Sequence, residues 1–230
     1  MPLYTPTEAA RAVGLNPSTL STWLKGYVRK PSGRRPTTGA PIVTTVGTDL
    51  PHGTPSIPFV GLAEALVLAA VRCAGVPLQR VRPALERLSV DLGVDHALAS
   101  RRLYTEGAEL LFDYADRSPD PDATRVRELV VIRNQQRVFT EVVERYLKLI
   151  TYGPDDYASL IRLPVYAKAQ VVVDPNRSFG QPIFVHGGAK VSDAADRFLA
   201  GESLPAVAEE FGVSVDDLED VIRATSRRAA

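Results

Sequence analysis

Apolar residues recur at helical spacing near both ends of the chain. Leu20, Trp23 and Leu24 share one face of a helix that opens at Asn16-Pro17, and Leu218, Val221 and Ile222 repeat that face near the C-terminus. A shorter helix precedes each, with Ala10 or Ala208 at a small position and Gly14 or Gly212 in the turn. Leu15-Asn16 and Val213-Ser214 then lead into the next helix, so the spacing predicts two helix–turn–helix units. Thr5-Pro6-Thr7-Glu8 is a capping box with proline at the first helical position, which starts the first helix. Gly26 stops the second.

The patterns between these units are more varied. Tyr27–Pro58 is rich in Gly, Pro and Thr, with one strand-like piece at Pro41–Val46, and reads as a long hairpin or wing. Gly61–Ala74 is apolar nearly all round, interrupted by Glu64, which predicts a buried helix. Pro77–Leu92 is amphipathic, with Leu78, Val81, Leu85 and Leu88 at three- and four-residue steps. Ala108–Tyr114 and Glu128–Ile132 read as strands around the loop "ADRSPDPDA". Phe139, Val142, Val143, Tyr146, Leu147 and Ile150 form a helical stripe, a face for the core or for a second copy. "SLIRLPVY" and "QVVVD" read as strands, and three short helices follow at Val191–Ala200, Leu204–Phe211 and Val215–Arg223. The expected fold is α+β, mainly α. It comprises a winged helix–turn–helix domain over 1–95, a mixed middle region over 96–170 and a three-helix domain over 171–230.

Composition is that of a soluble globular protein: 230 residues, 45% apolar and 23% charged. No apolar run is long enough to span a bilayer, and the start lacks a secretory leader, so a cytoplasmic protein is expected. The lone Cys73 reads as a packed core thiol. Net charge is zero, but from Met1 to Thr48 six bases face one acid, while from Val191 to Ala230 nine acids face four bases. The first unit leaves Ser18, Thr19, Ser21, Thr22 and Lys25 exposed on its second helix, groups that can donate to phosphates and base edges. Arg29, Lys30, Arg34 and Arg35 in the wing add the positive charge that DNA binding requires. The second unit carries Asp216, Asp217, Glu219 and Asp220 at the corresponding positions, which repel phosphate within a Debye length of roughly 8 Å. One motif is therefore expected to face DNA, and its copy to face protein or to be structural.

Two stretches resemble known families. "YTPTEAARAVGLNPSTLSTW" and "LAEALVLAAVRCAGVPLQRVRPAL", spanning about residues 3–92, resemble the MerR-like winged helix–turn–helix regulators. Ser21 and Thr22 stand where that family commonly has an arginine and an aromatic. The C-terminal stretch from Val173 to Arg223 resembles a bacterial domain family associated with VapB-type antitoxins, which are encoded beside PIN-domain ribonuclease toxins. Asp174, Pro175, Gly180, Pro182, Gly187, Gly201, Glu202 and Ser203 match its pattern, with Gly188 where threonine is usual. The resemblance implies a homodimeric antitoxin that binds operator DNA, represses its own operon and neutralises a PIN-domain ribonuclease. PIN-domain ribonucleases hold a metal with clustered carboxylates, and an inhibitor can satisfy those acids with guanidinium groups. Arg223, Arg227 and Arg228 on the terminal segment, and Arg177 beside the Asp-Pro turn, are the candidate toxin-binding residues. A free-standing MerR-like regulator with a C-terminal sensing domain is the alternative, and a structural adaptor without DNA binding a third reading.

Catalysis is not expected. His52, His96 and His186 are isolated, and Asp113, Asp116, Asp120 and Asp122 lie around a proline-stiffened loop. No Walker loop, GxGxxG or Gly-x-Ser-x-Gly occurs, and no cofactor or metal is implied.

Overall fold

A computed structural model describes residues 3–29, 37–47, 51, 53–118, 121–133 and 136–226. It is a mixed α and β structure in which helices predominate over small sheets. The chain forms two compact units, Leu3–Ala158 and Ser159–Ala230.

The first unit begins with β1 (Leu3–Tyr4), α1 (Pro6–Val13), α2 (Pro17–Lys25), β2 (Tyr27–Arg29) and β3 (Thr37–Gly39). The capping box forms as expected: the Thr5 hydroxyl accepts from the Glu8 amide at 3.1 Å and Glu8 accepts from the Thr5 amide at 2.8 Å. Gly14 takes the left-handed conformation (φ 75°), and Asn16 caps α2 by accepting from the Ser18 amide at 2.9 Å. β4 (Ile57–Pro58) pairs with β1 and leads into α3 (Phe59–Cys73), in which every residue from Gly61 to Val71 is buried. α3 is the hydrophobic axis against which α1 and α6 pack.

Three expectations of secondary structure fail in this unit. Pro41–Val46 is not a strand. Its amides are satisfied one at a time: Ile42 donates to the Trp23 carbonyl, Thr44 to Glu64, and Val46 to the Ser56 carbonyl. Ala108–Tyr114 is not a strand either, but the centre of α5 (Arg101–Arg117), which follows α4 (Leu78–Leu92). The buried set Leu103, Gly107, Ala108, Leu111 and Ala115 has helical spacing that the shorter apolar window hides. The Phe139–Ile150 stripe is not one helix. β5 (Val130–Arg133) pairs with β6 (Gln136–Phe139), α6 spans only Glu141–Leu147, and Ile150 opens β7 (Ile150–Tyr152). Phe139, Val143, Leu147 and Ile150 are all buried within the protomer, so they offer no surface to a second copy. Cys73 also departs from its expected burial. It is exposed in the last turn of α3, with its sulfur 3.3 Å from the Tyr146 hydroxyl, whose pKa burial pushes up to about 12.

The second unit contains β8 (Ala158–Arg162), β9 (Val171–Val173) and β10 (Ile183–Phe184), antiparallel with Val172 facing both Arg162 and Ile183. Then come α7 (Val191–Leu199), α8 (Leu204–Phe211) and α9 (Val215–Ser226), packed on one another around Ala194, Val207, Ala208, Leu218 and Val221. Gly187 takes a φ of 76°, and a Cβ there would lie 2.5 Å from the Phe211 carbonyl oxygen. Only glycine lets this turn approach the end of α8 so closely.

Candidate nucleic-acid interface

The two helix–turn–helix units repeat in atomic detail. Leu15 donates to the Ala10 carbonyl at 2.8 Å, and Val213 donates to the Ala208 carbonyl at 3.0 Å. Gly14 and Gly212 are both left-handed, with φ of 75° and 64°. Asn16 caps α2, and Ser214 caps α9 by accepting from the Asp217 amide at 3.0 Å. Leu20 and Leu218 are both fully buried. The same backbone therefore presents two different polar faces.

On α2 the sequence-predicted residues divide between two grooves. Ser18, Ser21 and Lys25 line a groove of about 740 Å³ together with Thr7, Thr45, Thr54 and Ser56, a wall rich in hydroxyls. Thr19 and Thr22 line a notch of about 380 Å³ on the other flank, with Trp23, Tyr27, Arg72 and Arg82. The hydroxyls are held in place from within. Ser18 donates to the Asn16 side chain at 2.7 Å and Thr22 to the Ser18 carbonyl at 2.9 Å, while Thr19 accepts from Arg72 at 2.8 Å. Lys25 is exposed.

The wing starts at Gly26 (φ 72°), where a Cβ would lie 2.3 Å from the Gly39 carbonyl oxygen. Tyr27, Val28 and Arg29 pair with Gly39, Thr38 and Thr37. Lys30, Arg34, Arg35 and the side chain of Arg29 lie outside the described residues.

Two residues of this face escaped the sequence reading. Arg72 is the single cation of the apolar α3, placed where that helix leaves the core. Arg82 lies on the apolar stripe of α4, between Leu78 and Leu85, and a charge on such a stripe was the available signal. It is 7% exposed, donates to the Ala40 carbonyl and lies 6.0 Å from the centre of the Tyr27 ring.

Beneath the wing, Glu64 holds the return segment. Its carboxylate accepts from the Thr44 amide at 2.6 Å and the Thr44 hydroxyl at 3.0 Å, and lies 3.1 Å from His96 Nδ1. Burial raises its pKa above the ordinary 4.5, and the hydrogen bonds from Thr44 and His96 offset only part of that. A carboxyl whose folded pKa is raised stabilises the fold when protonated, and that contribution is lost as pH rises through the folded value. Glu64→Gln keeps an acceptor for Thr44 and abolishes this titration. The variant is therefore expected to melt at or above the wild-type temperature at pH 7, with the wild type gaining on it as pH falls toward 4.5. Thermal denaturation across that range checks it. A variant melting well below the wild type at pH 7 would show that the charged hydrogen bonds outweigh burial.

The α9 face is acidic and mostly engaged. Asp220 accepts from the Lys168 and Ala169 amides at 2.7 and 3.0 Å, and Asp216 lies 3.7 Å from the Lys168 ammonium. Arg223, at the position corresponding to Lys25, is exposed and paired with Glu219. Arg227 and Arg228 lie outside the described residues. Arg177 is exposed on a turn, with its guanidinium over Gly188. On the same turn Phe179 is 89% exposed with φ 54°. Of the histidines, His52 lies outside the described residues, His96 serves Glu64, and His186 is exposed.

Comparison with known proteins adds to this geometry. Residues 2–85 match the family described as "Putative DNA-binding HTH domain". The chain is 47% identical to the Mycobacterium tuberculosis protein named "Putative antitoxin VapB45", over 97% of this chain and 94% of that protein. It is 30% identical to "Uncharacterized protein Rv2308" of the same organism, over 98% of this chain and 90% of that one. The crystal structure of Rv2018 from Mycobacterium tuberculosis superposes with a TM-score of 0.82 at 44% identity, covering 96% of this chain and 98% of that one. The N-terminal unit thus contains a DNA-binding helix–turn–helix domain. No helix among the described residues is long and apolar enough to cross a membrane.

Proposed function

Because the chain belongs to the family of the protein named putative antitoxin VapB45, we propose that it is a non-enzymatic antitoxin with two working faces. The MerR-like N-terminal unit binds operator DNA through α2 and the basic wing, and represses the chain's own operon as a cytoplasmic homodimer. The C-terminal unit binds and neutralises a PIN-domain ribonuclease of the VapC type. The observation that carries this reading is the repeat itself. One backbone motif is written once with hydroxyls and lysine on its outer face, and once with Asp216, Asp217, Glu219 and Asp220. The first chemistry suits phosphates and base edges, whereas the second repels them. Phe179 supports a protein-facing role for the second unit, because an 89% exposed aromatic on a left-handed turn suits burial against a partner.

Co-expression of the full chain with the product of the neighbouring gene tests the partner. A stable complex is expected to form and to suppress ribonuclease activity that the neighbour shows alone. Replacing Arg177 and Arg223 with alanine and deleting Ser226–Ala230 is expected to restore that activity while leaving operator binding intact. No complex and no effect on a ribonuclease would favour the free-standing regulator.

A further inference from the structure

The notch beside α2 poses an electrostatic problem. Arg82 is 7% exposed, and its guanidinium carries a permanent charge. One of its nitrogens donates to the Ala40 carbonyl, while Nε is buried without a hydrogen-bond partner. Arg72 stands across the same notch, its guanidinium anchored on the Thr19 hydroxyl. Among the described residues neither arginine is paired with a carboxylate, and no acid lines the notch. A buried cation with an unfilled donor needs an anion to offset its desolvation.

We propose that this notch is a phosphate seat, in which Arg72, Thr19 and Arg82 hold one phosphodiester of the operator backbone. The proposal rests on the reading of the N-terminal unit as an operator-binding domain. The geometry suits a tetrahedral oxyanion. Arg72 comes from the end of α3 and Arg82 from α4, so two guanidinium forks approach one space from different helices. Thr19 already accepts from Arg72, which leaves its own proton to donate outward. The seat also explains why a helix as apolar as α3 ends in an arginine turned toward α2. Such a contact fixes the register of α2 on DNA without reading a base.

The chain's single tryptophan, Trp23, lines the notch and reports on its occupancy. The full chain is titrated with inorganic phosphate while Trp23 fluorescence is followed, and separately with a duplex carrying the promoter of its own operon. The wild type is expected to show a saturable fluorescence change with phosphate, and Arg72→Ala to lose it. Arg72 is exposed at the end of its helix, so this variant should fold, which circular dichroism verifies. Its duplex affinity is expected to fall about tenfold, and its salt slope to flatten by about 0.9 per protomer, the loss of one phosphate contact. Arg72→Lys keeps the charge without the fork and should fall between the two. If Arg72→Ala titrates phosphate and binds the duplex as the wild type does, with the same slope, the seat is wrong while operator binding stands. If phosphate titrates in an Arg72-dependent way but the duplex does not bind, the anion seat is upheld, and its assignment to an operator backbone is overturned together with the operator reading.

Discussion

Trp23→Ala is expected to cost about 3–5 kcal/mol of stability, the range for truncating a buried aromatic. Trp23 is 6% exposed and shares its face with Leu20 at 0% and Leu24 at 8%, so it fastens α2 to the unit beneath it. Its carbonyl also accepts from the Ile42 amide, which ties the segment after the wing to the end of α2. Loss of the ring therefore loosens both parts of the candidate interface. For a unit of this size the melting temperature should drop by roughly 6–20 °C, with DNA binding reduced in step. Calorimetry of the full chain is the measurement. A variant that melts normally but no longer binds DNA would make Trp23 a direct contact and not an anchor.

The parts of the fold legible in the sequence are those that local chemistry decides. Thr5 and Glu8, Gly14, Asn16, Gly26 and Gly212 fix helix ends through their own side chains or through left-handed backbone, and each stands where the spacing placed it. What was misread turned on distant partners in one case and on too short a window in another. Pro41–Val46 has the β-branched residues of a strand, yet its amides find a carbonyl of α2, the Glu64 side chain and the Ser56 carbonyl. Ala108–Tyr114 has apolar residues at every second position, and only the longer window from Leu103 to Ala115 shows the helical face. The candidate interface was legible along α2 because a recognition helix exposes a contiguous stretch. Arg72 and Arg82 were not, since they reach it from α3 and α4 by packing that no local pattern encodes. The acidity of α9 was plain, but the use of Asp220 as an acceptor for two amides of another segment was not.

Replacing Arg29, Lys30, Arg34 and Arg35 together with alanine is expected to have the largest effect on DNA affinity. A dimer neutralising about four phosphates per protomer has a salt slope of log K near −7, and between 50 and 200 mM salt such a complex weakens about ten-thousand-fold. Contacts of this kind are blind to sequence, so the variant should lose affinity alike for its own promoter and for unrelated DNA. Ser18→Ala and Ser21→Ala should instead relax discrimination at particular bases, by about 1–3 kcal/mol where a direct base contact is lost. Asp216 and Glu219 on α9 are exposed to the same solvent at the corresponding turn of the copied motif. Their replacement removes carboxylates that no phosphate approaches if the second unit faces protein. Salt titration of promoter binding by the full chain, by the wing variant and by Asp216→Ala/Glu219→Ala therefore tests the division of labour most directly. The predicted result is a slope near −7 for the wild type, a much flatter one for the wing variant, and an unchanged one for the α9 variant. A slope that survives loss of the wing charges, or that changes with the α9 acids alone, would contradict it.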